Sequence, residues 1–245
     1  LAYRGRNGRG YAINPGAGLS PGTPSDPLAF HDLLAAKVGK VYSAVQDFPM
    51  HATMFQPVGG MDAIPRAFAK RLGPAIRYGA AVERIRQGNG KVTLDIRDGA
   101  SGARSSVQAD WCLCTAPLSV LRMIDTDFTD RFKAAIKAVP YAPVGKIGLQ
   151  MRRRFWEEDE QIYGGHVLTD IKGINTISLP SNGWQQKKGV VLGYYNYALD
   201  AIEVSALSPG ERAEFALRAG EKIFPGYRAA YENAFSVAWH RVQYS

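Results

Sequence analysis

The sequence has little cysteine. Two thiols, Cys112 and Cys114, occur in 245 residues, and with a single residue between them a mutual disulfide is geometrically poor. A disulfide-stapled architecture is excluded. The four histidines, His31, His51, His166 and His240, show none of the spacings that gather a metal ion, so no metal site is expected. No apolar run approaches the roughly 18–20 residues that cross a bilayer, and no membrane span is expected. The opening LAYRGRNGRG is basic and glycine-rich with no apolar stretch, so it does not read as a signal peptide. The first residue is Leu1, not Met, which points to processing or a cut. Phosphate-loop patterns are missing too. Gly8-Arg9-Gly10 lacks a third glycine and follows no strand, and there is no GxxxxGK[ST]. Acidic residues are the scarcer sign, 22 Asp and Glu against 30 Lys and Arg, for a net charge of +8. So small an excess reads first as a solvated surface. An anionic ligand or partner can share it, and no nucleic-acid partner is read from it. Localisation stays open.

What is present is ordinary globular material, 46% hydrophobic and 21% charged. Residues 1–27 hold six glycines and four prolines and form an arm that must lean on something else. Ser25 or Asp26 followed by Pro27 predicts a helix start, with Leu33, Leu34, Val38, Val41 and Tyr42 as its stripe. Met54 to Met61 is a short apolar stretch ending in a double-glycine turn, and Asp62 opens a helix that Gly73 closes. Ala80–Arg86 and Lys91–Arg97 are strands joined by Asn89-Gly90, a hairpin signal. Val107–Thr115 reads as a third, central strand, with both thiols packed in the core. Helices follow at 118–124 and 128–139. Strands follow at 145–151, within 163–180, at 189–197 and at 235–239. Ser208-Pro209-Gly210-Glu211 reads as a capping box. Arg152-Arg153-Arg154 before Glu157-Glu158-Asp159-Glu160 reads as a solvated, self-neutralising turn. The fold class is α/β, or mixed α+β, with several sheets. No internal repeat, Ser-His-Asp order or acid/base pair is visible, and each histidine reads as structural.

Five segments in order resemble the flavin amine oxidase family, most of all bacterial L-amino-acid oxidases. They are Gln56-Pro-Val-Gly-Gly-Met-Asp62 with Ile64-Pro-Arg-Ala-Phe68; Ala81-Val82-Glu83-Arg84-Ile85 with Asp110-Trp-Cys-Leu-Cys-Thr-Ala-Pro117; Gly145-Lys146-Ile147 with Phe155-Trp156-Glu157; Tyr163-Gly-Gly, Thr169-Asp170 and Pro180-Ser181; and Trp239-His-Arg-Val-Gln-Tyr-Ser245. Together they cover about residues 54–245. The resemblance implies an incomplete two-domain flavin amine oxidase fold. Residues 1–53 are an arm and helix, 54–117 part of an FAD-binding domain, 118–235 a substrate-binding domain, and 236–245 a return strand toward the FAD domain. It implies FAD as cofactor, an L-amino acid and oxygen as substrates, and a keto acid, ammonia and hydrogen peroxide as products. Alternatives are an amino-acid 2-monooxygenase, an oxidase of other amines, or a non-catalytic binding module.

The same resemblance implies roles for particular residues. Lys146, ten residues before Trp156, matches the family lysine that holds a water at the reactive edge of the flavin; the plain reading is a lysine pointing out from an edge strand. Val82 matches a residue whose backbone meets the adenine of FAD, and Trp239 and Tyr244 lie by the flavin or the pocket mouth. Gly193-Tyr194 matches a glycine–aromatic pair facing substrate, and a one-residue gap makes it Tyr195. The glycine-rich FAD fingerprint, the closing flavin segment and the carboxylate-binding arginine of the family have no match in the chain, so other chains or segments are expected to complete the FAD site.

Overall fold

The computed structural model describes residues 10–13, 15–16, 18–36 and 56–242. The chain divides into two compact units, one of residues 1–47 with 142–242, the other of 48–141 with 243–245. His51, Met54, Phe55, Tyr244 and the helix-stripe positions Val38, Val41 and Tyr42 lie outside the described residues.

The glycine-proline arm forms a small antiparallel ribbon, β1 (Tyr11–Ile13) with β2 (Thr23–Pro24). The helix after it, α1 (Phe30–Ala35), starts later than Asp26-Pro27 predicts. The Ser25 N–H donates to the Gly10 carbonyl at 3.0 Å, so Ser25 belongs to the ribbon, and Ala29 stands at the helix start with no side-chain cap.

In the 48–141 unit, α2 (Ala63–Leu72) follows Asp62, whose carboxylate reaches Arg66 one turn on at 2.5 Å and does not cap. Strands β3 (Ala80–Gly88), β4 (Lys91–Asp98) and β5 (Arg104–Ala109) make an antiparallel meander, and β6 (Asp125–Thr126) adds in parallel beside β3. Asn89 and Gly90 take φ of 52° and 71°, as a tight hairpin requires. Ile85, Val82 and Leu94 pack with Leu121 of α3 (Leu118–Leu121) and Ile136 of α4 (Asp130–Ala138). Charges knit the meander outside this core. Glu83 accepts from Arg97 and Arg104, Asp125 from Arg86 and Arg84, and these hydrogen bonds hold both carboxyls below their ordinary range.

The third strand corrects the sequence reading. It spans Arg104–Ala109, lies at the edge of the sheet and is exposed throughout. It ends at Ala109 because that residue pairs with Val92, next to the start of β4 at Lys91; beyond it β4 offers no further backbone. Trp111 and Leu113 are about nine-tenths exposed, and both thiols are exposed, not packed in the core.

In the other unit, β7 (Val144–Met151), α5 (Phe155–Glu158), β8 (Gly165–Leu168), β9 (Thr176–Leu179), β10 (Gly189–Tyr197), α6 (Ala198–Ala206), α7 (Pro209–Ile223), α8 (Tyr227–Ala230) and β11 (Tyr231–Ala238) follow in chain order. The five strands form one antiparallel sheet, β11-β7-β10-β9-β8. Ile147, Leu149, Met151, Ile177 and Val191 meet Ala213, Ala216 and Leu217 of α7 and an aromatic cluster of Phe155, Trp156, Phe224 and Tyr227. The predicted capping box opens α7: the Glu211 N–H donates to Ser208 Oγ at 3.3 Å, and the Ser208 N–H to Glu211 Oε2 at 2.8 Å.

The triple arginine is the second correction. Arg153 is a surface residue that bridges Glu158 and Asp159. Arg154 is buried, with 2% of its side chain exposed, and pairs at 2.6 Å with Glu157, itself 7% exposed. Its remaining N–H groups donate to the carbonyls of Pro180, Asn182 and Lys188, and its guanidinium lies 4.9 Å from the Trp156 ring. Five donors in a planar fork suit this buried role. Burial alone would raise the Glu157 carboxyl, but Arg154 and the Gln185 N–H outweigh it, and the group titrates below its ordinary 4.5.

Removing the guanidinium leaves a buried, unpaired carboxylate. Arg154→Met should cost about 3–5 kcal/mol, whereas Arg153→Ala should cost no more than about 1 kcal/mol; urea unfolding followed by fluorescence measures both. A carboxyl with a lowered folded-state pKa stabilises above its unfolded value, and that stability is lost as pH falls through the folded one. Wild type should therefore lose stability below pH 4.5 more steeply than Glu157→Gln.

Candidate active site

Strand β7 is paired on both sides, with β10 and with β11, so its side chains divide strictly between two faces. Ile147, Leu149 and Met151 are fully buried under the helices. Lys146, Gly148 and Gln150 take the open face and are half-buried. Strand β10 breaks its own alternation. Leu192 pairs with Gly148 and Tyr194 with Ile147, which leaves Gly193 as an extra residue in a bulge. Ahead of the bulge Val191 faces the core; after it Tyr194 and Asn196 do. Tyr195 and Tyr197 are thereby turned to the open face, beside Lys146.

Lys146 stands directly across from Tyr195 on one side and Val237 on the other. Its ammonium lies 4.1 Å from the centre of the Tyr195 ring. The Tyr195 and Tyr197 rings are 4.5 Å apart at 38°. Burial, and then a hydrogen bond with Tyr195, push the Tyr197 hydroxyl up. Lys146, Gln150, Val190, Phe235, Val237 and Trp239 line a cavity of about 500 Å³ on this face.

Of the predicted site residues, Lys146, Tyr195 and Trp239 are therefore gathered on one face or its rim. Trp239 does not end a strand, as the sequence suggested. Strand β11 stops at Ala238 and Trp239 begins a short 3-10 turn (Trp239–Arg241). Tyr194 is placed elsewhere: 2% exposed, it packs toward Phe215 on the helix-covered side, where burial pushes its hydroxyl to about 12. Val82 belongs to the 48–141 unit, half-buried in β3 and paired with Ile96 just before an irregularity at Glu83. Tyr244 lies outside the described residues. His166 and His240 meet Ser178 and Ser205 at 2.8 and 3.1 Å. Gln150, Phe235 and Val237 were missed. Gln150 lies two alternations beyond Lys146 on β7, and Phe235 and Val237 fall within the strand predicted at 235–239, but only the pairing of β11 with β7 shows that they share the face of Lys146.

A polar groove of about 550 Å³ in the 48–141 unit is lined by Glu83, Arg84, Asp95, Arg104 and Asp125. Its arginines are already paired with these carboxylates, so it offers no free charge to an anion. Among the described residues no group of three or more His, Cys, Asp or Glu could hold a metal ion, and no helix is long and apolar enough to cross a membrane.

The family model described as flavin containing amine oxidoreductase matches residues 29–245. The chain belongs to this family. As a flavin amine oxidase chain it is 29% identical over 204 residues to the protein YobN of Bacillus subtilis (strain 168), spanning 81% of this chain and 42% of that one. It is 33% identical over 169 residues to an L-amino-acid oxidase of Siganus canaliculatus, spanning 67% of this chain and 32% of that one. The chain thus spans less than half the length of these relatives. The fold is similar to a putrescine oxidase variant, with a TM-score of 0.65 at 17% identity, and to cyclohexylamine oxidase from Brevibacterium oxydans, with a TM-score of 0.62 at 17% identity. Each likeness covers 76% of this chain and 40% of the other. The mixed α/β architecture is thus part of a flavin amine oxidase fold, and the cofactor of the family is a flavin, FAD.

The open face suits the ring end of such a cofactor. It offers one fixed ammonium, an aromatic rim and a floor flattened by Gly148, where an added Cβ would already touch Val190 at 3.2 Å. Among the described residues no glycine turn joins a parallel strand to a helix, the arrangement that receives a pyrophosphate.

The bulge that turns Tyr195 outward depends on Gly193. A Cβ there would sit 2.8 Å from Leu149 Cδ1 and 3.1 Å from Ile147 Cγ2. Gly193→Ala should lower stability by about 1–3 kcal/mol through overpacking, read as a lower urea midpoint.

Proposed function

We propose that this chain is the substrate-side part of an FAD-dependent enzyme that oxidises the amine of an L-amino acid. The observation that carries the reading is the gathering of Lys146, Tyr195 and Trp239 on one open, largely apolar face. The overall reaction takes amino acid, oxygen and water to keto acid, ammonia and hydrogen peroxide. FAD, when bound, would supply the two-electron acceptor for the hydride of the substrate Cα and the route of those electrons to oxygen.

The residues of this chain do the positioning. Val237, Phe235 and Trp239 form an apolar wall that shields the reacting carbon from bulk water and helps hold it at about 3–3.5 Å from its acceptor. Lys146 supplies a fixed positive charge and N–H donors for one ordered water. A cation at that point favours the negative charge that develops as oxygen is reduced. The Tyr195 O–H, on the face of Lys146, suits a substrate carboxylate. The backbone of Val82 is proposed to meet the adenine, with residues 54–117 contributing to FAD binding and 118–235 to substrate binding. Trp239 and Tyr244 are proposed to border the flavin. Segments or chains beyond these 245 residues complete the pyrophosphate site.

The relatives that favour an amino acid as substrate are those named L-amino-acid oxidase. In the full-length enzyme, anaerobic addition of L-amino acids should bleach the flavin absorbance, while putrescine and cyclohexylamine should leave it unchanged. Bleaching by the amines alone would refute the substrate assignment. Lys146→Met should slow reoxidation of the reduced flavin on the order of 10²-fold and leave the amino-acid dependence of bleaching nearly unchanged; stopped-flow mixing with oxygen reads the first, anaerobic titration the second.

A further inference from the structure

We infer that Tyr195 is the positioning residue of Lys146. Its ring fixes the ammonium in space while leaving the positive charge intact. The inference rests on the role proposed for Lys146, and the geometry that carries it is local to the sheet.

A lysine side chain has four flexible torsions and loses much freedom when it is fixed. Proteins usually anchor such a group with a carboxylate, which also cancels its field. Among the described residues no ion pair involves Lys146; its ammonium lies over the Tyr195 ring, 4.1 Å from the centroid. An aromatic face attracts a cation through its quadrupole, yet carries no net charge. The ammonium is therefore held without being neutralised, and its N–H groups that point away from the ring stay free to bind a water.

Three features build this arrangement. Lys146 and Tyr195 are directly opposed residues in the β7–β10 ladder, where cross-strand side chains meet most closely. The bulge at Gly193 supplies the phase that puts Tyr195, not Tyr194, on the face of Lys146. Tyr197 backs the Tyr195 ring at 4.5 Å, so the ring is braced on the side along the strand. On the other flank Val237 stands opposite Lys146 and offers no polar group to draw the ammonium away.

The test uses the full-length, flavin-loaded protein with lysines reductively methylated by ¹³C-formaldehyde, which preserves their charge. The Lys146 dimethylamine resonance is assigned by its disappearance in Lys146→Met. Lying over a ring, it should be displaced upfield of the other lysine resonances, stay displaced in Tyr195→Phe, and return to the common position in Tyr195→Leu. Reoxidation of the flavin should slow about 2- to 30-fold in Tyr195→Leu, the range a cation–ring contact sets, and be rescued in Tyr195→Phe. A Lys146 resonance at the common position in wild type, or displaced still in Tyr195→Leu, would overturn the inference. The wild-type resonance decides this even where the leucine variant fails to fold. Unchanged reoxidation in Lys146→Met would instead refute the role proposed for Lys146, and the resonance would still report whether the ring holds it.

Discussion

Everything at the candidate site depends on one constraint: β7 is the strand with neighbours on both sides at the point where chemistry is proposed. A strand so held cannot rotate, and every second side chain is committed to the core. Ile147, Leu149 and Met151 are fully buried. They fix Lys146 and Gln150 on the other face as firmly as if those were themselves packed. The core thus serves as the rigid support that a site needs to hold its groups in place.

The neighbouring strand answers to a different demand. Tyr194 and Asn196 must enter the core. The Asn196 amide donates to the Gly173 carbonyl at 3.1 Å, and Tyr194 fills space toward Phe215. Val191 must enter the core as well. Regular alternation cannot bury both an odd and an even set, so one residue has to be spent, and glycine at 193 is the residue whose missing side chain allows it. The proximity of Lys146 and Tyr195 is therefore a product of packing on the far side of the sheet.

Legibility in the sequence followed the range of the interactions. The Asn89-Gly90 hairpin and the Ser208 to Glu211 capping box were readable because each is settled within four residues. The strands at 145–151 and 189–197 were readable from apolar content, and the family resemblance marked Lys146 by spacing. What could not be read was set by distant partners. The strand at 104–109 ends where β4 ends, not where apolar residues do, so Trp111 to Thr115 looked like core and is exposed. Arg154 looked like its two neighbours because nothing nearby tells that residues 26 to 34 positions away will wrap around it. The choice between Tyr194 and Tyr195 turned on a bulge, which a glycine hints at but does not place.

Arg154 has one more consequence. Its grip on the segment between β9 and β10 is made through the carbonyls of Pro180, Asn182 and Lys188, and carbonyls are common to all amino acids. This hold on the loop is thus set by its path and not by its side chains. Insertion or deletion of even one residue would move the three acceptors out of reach of a guanidinium that cannot follow, and Gly183, at φ 64°, and Gly189, where a Cβ would sit 2.7 Å from the Arg154 guanidinium, must stay small. Among related chains this segment should stay constant in length.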